Sequence, residues 1–369
     1  MADVHAERRD RLRARCSAAG LDAALVTHPA NVRWLTGTDG ARAVLLGRGT
    51  ALVALAEPST ATALAAATRG DSDGGLAPVP VPPGADPAPV LAARCTGRSL
   101  GVEEQDLTVA RHRAVVTAAG TGQVRDLGLP VEQLRTVKDE QELSLLRTAG
   151  EIADQALGEL LESILVGRSE RHLAMELERR MIDHGADGSA FPARVGAGDH
   201  AGLAGHLSGD RRIDDGEFLT VALGACYHGY RTSVTRTFVV GLSPADWQSE
   251  LHSQVFAAQR AAREALAVGA GQDAADRAAG RVLEAAGLAP AQGPQQGVGG
   301  GVGLEIGEEP RLGPQELGKL DNRVPVTVGV GVCIPGRGGV RIEDTLVVRP
   351  SEDGGPELLT ITTKELLAL

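Results

Sequence analysis

Residues 218–238 read F-L-T-V-A-L-G-A-C-Y-H-G-Y-R-T-S-V-T-R-T-F. The first part of this segment alternates, with Leu219, Val221 and Leu223 on one side of the chain. A period of two is typical of a strand whose two faces have different surroundings. A glycine-bearing bend follows, and the chain then continues into a second short strand that ends at Phe238. We therefore predict a hairpin over this segment.

Three later segments are equally distinctive. Residues 324–334 carry valine or isoleucine at every second position, which predicts a strand with one face on a hydrophobic core. The segment I-P-G-R-G-G-V-R-I-E-D-T at residues 334–345 places Arg341 and Glu343 on the same face of the next strand. Residues 301–310 read G-V-G-L-E-I-G-E-E-P.

The hairpin and these segments resemble the signature sequences of the aminopeptidase P and prolidase family, the pita-bread metallopeptidases. The family hairpin reads approximately L-I-D-F-G-A-x-Y-x-G-Y-x-S-D-I-T-R-T-F. Its framing residues are matched here by Gly224, Ala225, Tyr227, Gly229, Tyr230, Thr235, Arg236, Thr237 and Phe238. The likeness is strong from Val137 onward and weaker before it. It implies an α/β N-terminal domain of the creatinase/prolidase type over residues 1–132, and an α+β pita-bread domain over residues 133–369.

The resemblance also implies a metal centre. The family holds two divalent ions, such as manganese, with two aspartates, one histidine and two glutamates. In this sequence those positions carry Ala222, Ser233, Gly300, Gly329 and Glu343. Two further family histidines, which contact substrate, fall on Gly205 and Gly307. Glu343 alone keeps the family's ligand, and one carboxylate cannot hold a pair of ions. We therefore expect no metal cofactor here.

The same replacements predict a pocket in place of the metal centre. Its expected lining is Ala222, Ser233, Gly300, Gly307, Gly329, Arg341 and Glu343. Because glycine and alanine are small and uncharged, this pocket is expected to be roomy and weakly charged. Arg341 can pair with Glu343 and so relieve the cost of an unpaired buried charge. The expected occupant is a small molecule or a peptide.

Three functions fit these residues. The favoured hypothesis is a metal-free pseudopeptidase that is kept for binding a ligand or partner. The alternative is a metal-free hydrolase of a small molecule, similar to creatinase, with candidate catalytic residues His206, Glu308, Glu343 and Arg341. An active Xaa-Pro metallopeptidase is disfavoured by the missing ligands. His206 adjoins Gly205, but a solvated loop histidine is the more ordinary interpretation of His206.

Composition disfavours several classes of partner. The net charge of −11 argues against nucleic acid and anionic membranes, which normally require a basic surface. The four cysteines contain no C-x-x-C pair, so neither a zinc knuckle nor a disulfide framework is indicated. The first residues are charged, unlike a signal peptide, and no apolar run is long enough to span a membrane. We expect a cytoplasmic protein, and the family resemblance implies a homodimer.

Local patterns predict most of the helices and strands. Before residue 132, alternating helices and strands are expected, including a helix near residues 60–68. A proline-rich loop at residues 78–89 is expected to exclude both helix and interior strand. Helix starts are predicted at Asp139, Ser169, Ser243 and Thr362, each a residue type that can cap a helix.

Overall fold

The computed structural model describes residues 4–57, 61–62, 64, 68, 71, 75–163, 166–290 and 297–369. The chain divides into two compact units, Met1–Arg135 and Thr136–Leu369. The boundary expected from the sequence lay between residues 132 and 133. Most of the helix expected near residues 60–68 lies outside the described residues. Within the described part, no helix is long and apolar enough to cross a bilayer.

The first unit is built on one mixed sheet. Its strands are β1 (Ala23–Val26), β2 (Ala41–Gly47), β3 (Ala51–Leu55), β4 (Ala77–Val79), β5 (Ser99–Val102) and β6 (Gln123–Asp126). They lie in the order β4-β3-β2-β1-β5-β6, with parallel pairing on both flanks of the antiparallel centre. The described helices are α1 (Val4–Ala18), α2 (Pro29–Thr36), α3 (Pro87–Ala92), α4 (Val109–Ala119) and α5 (Pro130–Arg135). The expected α/β architecture of this unit is confirmed.

The proline-rich segment departs from the expectation at its C-terminal end. Pro78 lies within β4, which is the edge strand of the sheet and so loses nothing from the missing amide. Pro87 is the first residue of α3, a position where the amide would have no helical partner. Asp86 caps that helix by accepting a hydrogen bond from the Ala88 amide at 3.0 Å. The prediction that this segment excludes helix was therefore wrong at its C-terminal end, whereas the strand at Pro78 is an edge strand and does not contradict the exclusion of an interior strand.

The second unit combines a large antiparallel sheet with four described helices. The helices are α6 (Glu140–Leu161), α7 (Glu170–Asp183), α8 (Asp246–Glu264) and α9 (Ala274–Ala285). The strands are β7 (Gly188–Ser189), β8 (Arg194–Ala197), β9 (Phe218–Leu223), β10 (Ala225–Tyr227), β11 (Tyr230–Arg231), β12 (Val234–Val239), β13 (Gly299–Val302), β14 (Ile306–Leu312), β15 (Val324–Ile334), β16 (Gly338–Val348) and β17 (Glu357–Leu358). The large sheet has the order β14-β13-β15-β16-β12-β9-β8, with β17 beside β16, and a small sheet has the order β11-β10-β7.

One face of the large sheet is buried against the helices. Val326 and Val328 of β15 belong to a hydrophobic cluster with Val255 of α8. Leu219 and Val221 of β9 belong to a second cluster that includes residues of α6 and α7. Because side chains alternate along a strand, the intervening residues of β9, β12, β15 and β16 lie on the opposite face. That opposite face carries the candidate site.

The helix starts at Asp139 and Ser169 are confirmed. Asp139 Oδ1 accepts from the amides of Gln141 and Glu142 at 2.9 Å each, and Glu142 Oε2 accepts from the Asp139 amide at 3.0 Å. This reciprocal pair is a capping box. Ser169 Oγ accepts from the His172 amide at 3.3 Å at the start of α7.

The other two predicted helix starts were wrong. Helix α8 begins at Asp246 after Ala245, whose amide is bound by the Gln248 side chain at 2.9 Å. The segment after Thr362 contains no helix in the described structure. Its end instead pairs with β12, where the Val239 amide donates to the Leu367 carbonyl at 3.0 Å. The pairing with β12 therefore stabilises this segment more than a helix capped by Thr362 would.

Candidate functional site

Strand registers bring the sequence-predicted site residues onto one face of the large sheet. Thr235 of β12 is paired with Ala222 on one side and Glu343 on the other. Glu343 is paired in turn with Gly329 of β15. Directly opposed residues of antiparallel strands share a face, so these four residues lie on the same face of the sheet. The register, rather than any one residue, assembles the site.

Gly300 joins this face from the neighbouring strand. It is paired with Thr327, which lies two residues from Gly329 on the same face of β15. Gly307 belongs to β14 and has a left-handed φ of 79°. It lies beside a register irregularity in the β13–β14 pair, where the ordinary alternation of faces does not apply.

Glu343 is held by two neighbours on this face. Ser233 Oγ donates a hydrogen bond to Glu343 Oε1. Arg341 Nη2 lies 3.4 Å from Glu343 Oε2, which is the pairing that the sequence suggested. The Glu343 side chain is 15% exposed and that of Arg341 is 26% exposed. The charge of this carboxylate is therefore balanced by residues of the chain itself.

The space beside Gly329 is already occupied. A Cβ atom added at residue 329 would lie 2.5 Å from Glu343 Oε2 and 3.0 Å from Glu343 Cγ. The Glu343 side chain therefore lies over Gly329, the position at which the family resemblance implies the other glutamate ligand. By contrast, a Cβ atom at residue 300 would meet no atom closer than 3.4 Å. A Cβ atom would therefore make only ordinary contacts at residue 300, whereas at residue 329 the Glu343 side chain would have to move. The roomy pocket expected from the sequence stays a prediction.

The residues at these positions do not fit a pair of divalent ions. Ser233 uses its hydroxyl hydrogen to bind Glu343, and the alanine and glycines supply no side-chain donor. Divalent ions bound by hard oxygen donors require several converging ligands. One carboxylate that is already paired with Arg341 does not meet that requirement.

A second cluster of polar groups lies at the start of α7. Glu170 Oε1 accepts from the Ala197 amide and binds His200 Nδ1, both at 2.9 Å. Glu170 Oε2 accepts from the Gly209 amide at 3.0 Å and binds His206 Nε2 at 2.9 Å. The two imidazole rings lie 4.3 Å apart, centroid to centroid. We call this group, Glu170 with His200 and His206, the His–Glu cluster.

The carboxylate of Glu170 is ionised despite its burial. Its side chain is fully buried, and burial alone would raise its pKa. Hydrogen bonds from the Gly209 and Ala197 amides and from the two imidazoles outweigh this cost, so the pKa of Glu170 lies below its usual value. The cluster therefore presents a fixed negative charge to His200 and His206.

The candidate catalytic residues of the sequence analysis have different surroundings. His206 is 16% exposed and bound to Glu170, so the interpretation as a solvated loop histidine was wrong. Glu308 forms a buried ion pair with Lys138. Glu343 is bound to Ser233 and Arg341. Each of the three acid or base groups thus has its own partner.

Sequence reasoning missed Glu170. It precedes His200 by 30 residues and His206 by 36, and the three residues meet only because the loop after β8 folds back on α7. The available signal was the charged residue directly after the Ser169 cap, a position normally read as favouring the helix start. Nothing in the spacing of the two histidines indicated the partner.

Comparison with known sequences identifies the family. Residues 144–350 match the profile of metallopeptidase family M24, and residues 8–137 match the creatinase/prolidase N-terminal domain. The chain belongs to metallopeptidase family M24. The expected family and the two-domain pita-bread fold are thus confirmed.

Several relatives of this M24 chain are Xaa-Pro peptidases by name. An Xaa-Pro dipeptidase of Pyrococcus furiosus is 33% identical over 237 residues, which span 64% of this chain and 66% of that protein. An uncharacterized peptidase of Bacillus subtilis, YqhT, is 29% identical over 354 residues, 95% of this chain and 96% of the relative.

Solved structures agree with this assignment. The Xaa-Pro dipeptidase from Bacillus anthracis superposes with a TM-score of 0.89 at 28% identity, covering 99% of this chain and 100% of that one. The prolidase from Pyrococcus horikoshii OT3 gives a TM-score of 0.85 at 27% identity, covering 98% and 99%. The chain therefore has the fold of these peptidases.

Proposed function

We propose that this M24 chain is a pseudopeptidase, which binds a small molecule or peptide on the face around Glu343 and does not cleave Xaa-Pro bonds. The observation that carries the proposal is the state of Glu343. Its carboxylate is bound by Ser233 and Arg341 and lies across Gly329. A hydrolytic metal pair needs open carboxylates that converge on the ions, and such pairs supply the hydroxide that attacks a peptide carbonyl.

The remaining features of this face support binding rather than hydrolysis. Arg341 and Glu343 provide a partly exposed charge pair on this face. Polar groups of this kind fix the orientation of a bound molecule in a concave site. The scaffold of the family is then used for recognition.

The remaining expectations concern a creatinase-like activity, the location of the protein and its partners. The creatinase-like alternative requires His206, Glu308 and Glu343 to act on one substrate, and each of them is bound to a different partner. It stays a prediction from the sequence. The cytoplasmic location, the homodimer and the absence of nucleic-acid partners also stay predictions.

We expect no Xaa-Pro cleavage above the buffer rate when the protein is supplied with Mn²⁺, Co²⁺ or Zn²⁺. The measurement is release of the N-terminal residue from Xaa-Pro dipeptides and longer Xaa-Pro peptides. The Bacillus anthracis dipeptidase is the positive control. Glu343→Gln should leave the background rate unchanged, because Glu343 is assigned no catalytic role. Cleavage that is abolished both by chelation and by Glu343→Gln would show a working metallopeptidase and refute the proposal.

Ligand binding to this face should raise the melting temperature. A ligand present at about 100 times its Kd stabilises the folded state by about 2.7 kcal/mol. A thermal-shift screen of Xaa-Pro dipeptides and small polar acids should therefore find at least one stabilising compound. Ala222→Leu, which fills the same face, should abolish that shift while the unliganded protein still folds. A shift that survives Ala222→Leu would place the ligand elsewhere.

A further inference from the structure

We propose that the His–Glu cluster is a binding site for a single late-transition divalent ion, with zinc as the favoured metal. It lies at the start of α7 and in the loop after β8, apart from the five positions at which the family holds its metal pair. Glu170, His200 and His206 each direct one donor atom into the same small volume, and these donor atoms all lie within 4.8 Å of one another. The inference does not depend on the proposed function of the face around Glu343.

The distances suit one ion. Zinc binds imidazole nitrogen and carboxylate oxygen at about 2.0–2.2 Å with tetrahedral geometry, so two donors on the same ion lie about 3.4 Å apart. Both imidazole nitrogens are 2.9 Å from a Glu170 oxygen. Small shifts of the two rings would therefore place all three ligands around a common centre. On metal binding, each neutral imidazole would carry its proton on the other ring nitrogen, so that His200 Nδ1 and His206 Nε2 present lone pairs to the ion. Neither ring loses a proton overall.

The supporting contacts orient the ligands. The Ala197 and Gly209 amides each donate to one oxygen of Glu170, which fixes the plane of the carboxylate. Outer hydrogen bonds of this kind orient metal ligands and raise affinity. Gly196 allows the close approach of the loop, because a Cβ atom there would lie 2.7 Å from the His200 carbonyl and 3.3 Å from His206 Cδ2.

The ligand types select the metal. Two imidazoles and one carboxylate favour zinc, copper or nickel, whereas calcium and magnesium prefer sites made entirely of oxygen. Three protein ligands leave one coordination position open. The His200 side chain is 34% exposed and that of His206 is 16% exposed, so this fourth position is accessible to water or an external ligand. A bound ion would link the loop that carries both histidines to the first turn of α7.

The test is zinc binding to the purified full-length protein after chelator treatment. We expect one zinc per chain by isothermal titration and by metal analysis, and cobalt(II) in its place should give the visible absorption bands of a low-coordinate site. His200→Ala and His206→Ala should each weaken zinc binding at least about 100-fold, since even outer-shell changes cost 10–100-fold. His172→Ala removes an exposed imidazole from the same helix and should leave the affinity unchanged.

Three results would overturn the proposal. The first is that the wild type takes up no zinc at a zinc concentration about 100 times a micromolar Kd. The second is equal zinc binding by all the variants. The third is loss of zinc binding in only one of the two histidine variants. Circular dichroism of each variant establishes that it is folded. Because both histidines are partly exposed, their replacement is less disruptive than Glu170→Gln, which leaves the Ala197 and Gly209 amides facing an altered acceptor. Metal that is lost with Glu343→Gln instead would contradict the proposed function and leave this site without support.

Discussion

A variant that carries Ala222→Asp, Ser233→Asp, Gly300→His and Gly329→Glu is expected to bind two divalent ions per chain at this face, and the wild type is expected to bind none there. The strand registers already align these positions with Glu343 on one side of the sheet. The backbone arrangement needed at these positions is therefore present, and only the metal-binding side chains are lacking. Metal analysis after dialysis against Mn²⁺ or Co²⁺ measures the gain directly.

The Cβ atoms of the new residues at 300 and 329 can be accommodated with one adjustment. A Cβ atom at residue 300 meets nothing closer than 3.4 Å, which is ordinary contact. A Cβ atom at residue 329 meets Glu343 Oε2 at 2.5 Å, and that atom is the end of a flexible side chain. With aspartate at 233, Glu343 also loses the hydroxyl that binds it now. Glu343 is thereby released to turn toward an ion.

The variant's stability should depend on metal. Four clustered carboxylates without ions repel one another, and each unpaired buried charge costs several kcal/mol. The metal-free variant should therefore melt well below the wild type, and Mn²⁺ should recover most of the loss. The matched control has Asn, Asn, His and Gln at the same four positions, which keeps the shapes and removes the charges. It should show neither the loss nor the recovery. A folded variant that binds no ions would show that the frame itself has changed.

The fold was predictable because its signals are local. The alternation in β9 and β15 depends only on which residues face a core, and the registers of the two strands match that alternation. The identity of the residues at the five ligand positions is also read directly from the sequence, and the absence of a metal pair stays a prediction from it. The contacts of Glu343 were only partly predictable. Arg341 follows from strand periodicity, but the position of the side chain across Gly329 depends on cross-strand packing.

The wrong helix start at Thr362 and the missed His–Glu cluster share a physical cause, which is hydrogen bonding to residues that are distant in sequence. Thr362 has the chemistry of a helix cap, yet its carbonyl and that of Thr363 accept hydrogen bonds from Arg236 at 3.0 Å each. A helix that began there would need those carbonyls for its own amides. Likewise, the His–Glu cluster joins residues from a helix start and a loop. No periodicity within either segment reports such a contact.

Arg236→Met is expected to destabilise the second unit by about 3–5 kcal/mol, because it removes one partner of a buried ion pair. Arg236 and Asp344 are 1% and 0% exposed, and Nη2 lies 2.7 Å from Oδ1. The same guanidinium donates to the carbonyls of Thr235 at 2.9 Å and Glu343 at 2.6 Å, in addition to the C-terminal segment. Methionine keeps much of the volume and supplies none of these donors.

The loss should reflect burial and not ion pairing as such. Lys364 Nζ lies 3.2 Å from Asp344 Oδ2, so part of the charge stays compensated and the lower end of the range is expected. The pair Arg260–Glu264 has the same 2.7 Å separation with both side chains more than half exposed. Arg260→Met should therefore leave the urea midpoint unchanged, whereas Arg236→Met shifts it strongly. Equal midpoints for the two variants would mean that the buried network contributes little. The association of β12 and β16 with the C-terminal segment would then depend on backbone pairing alone.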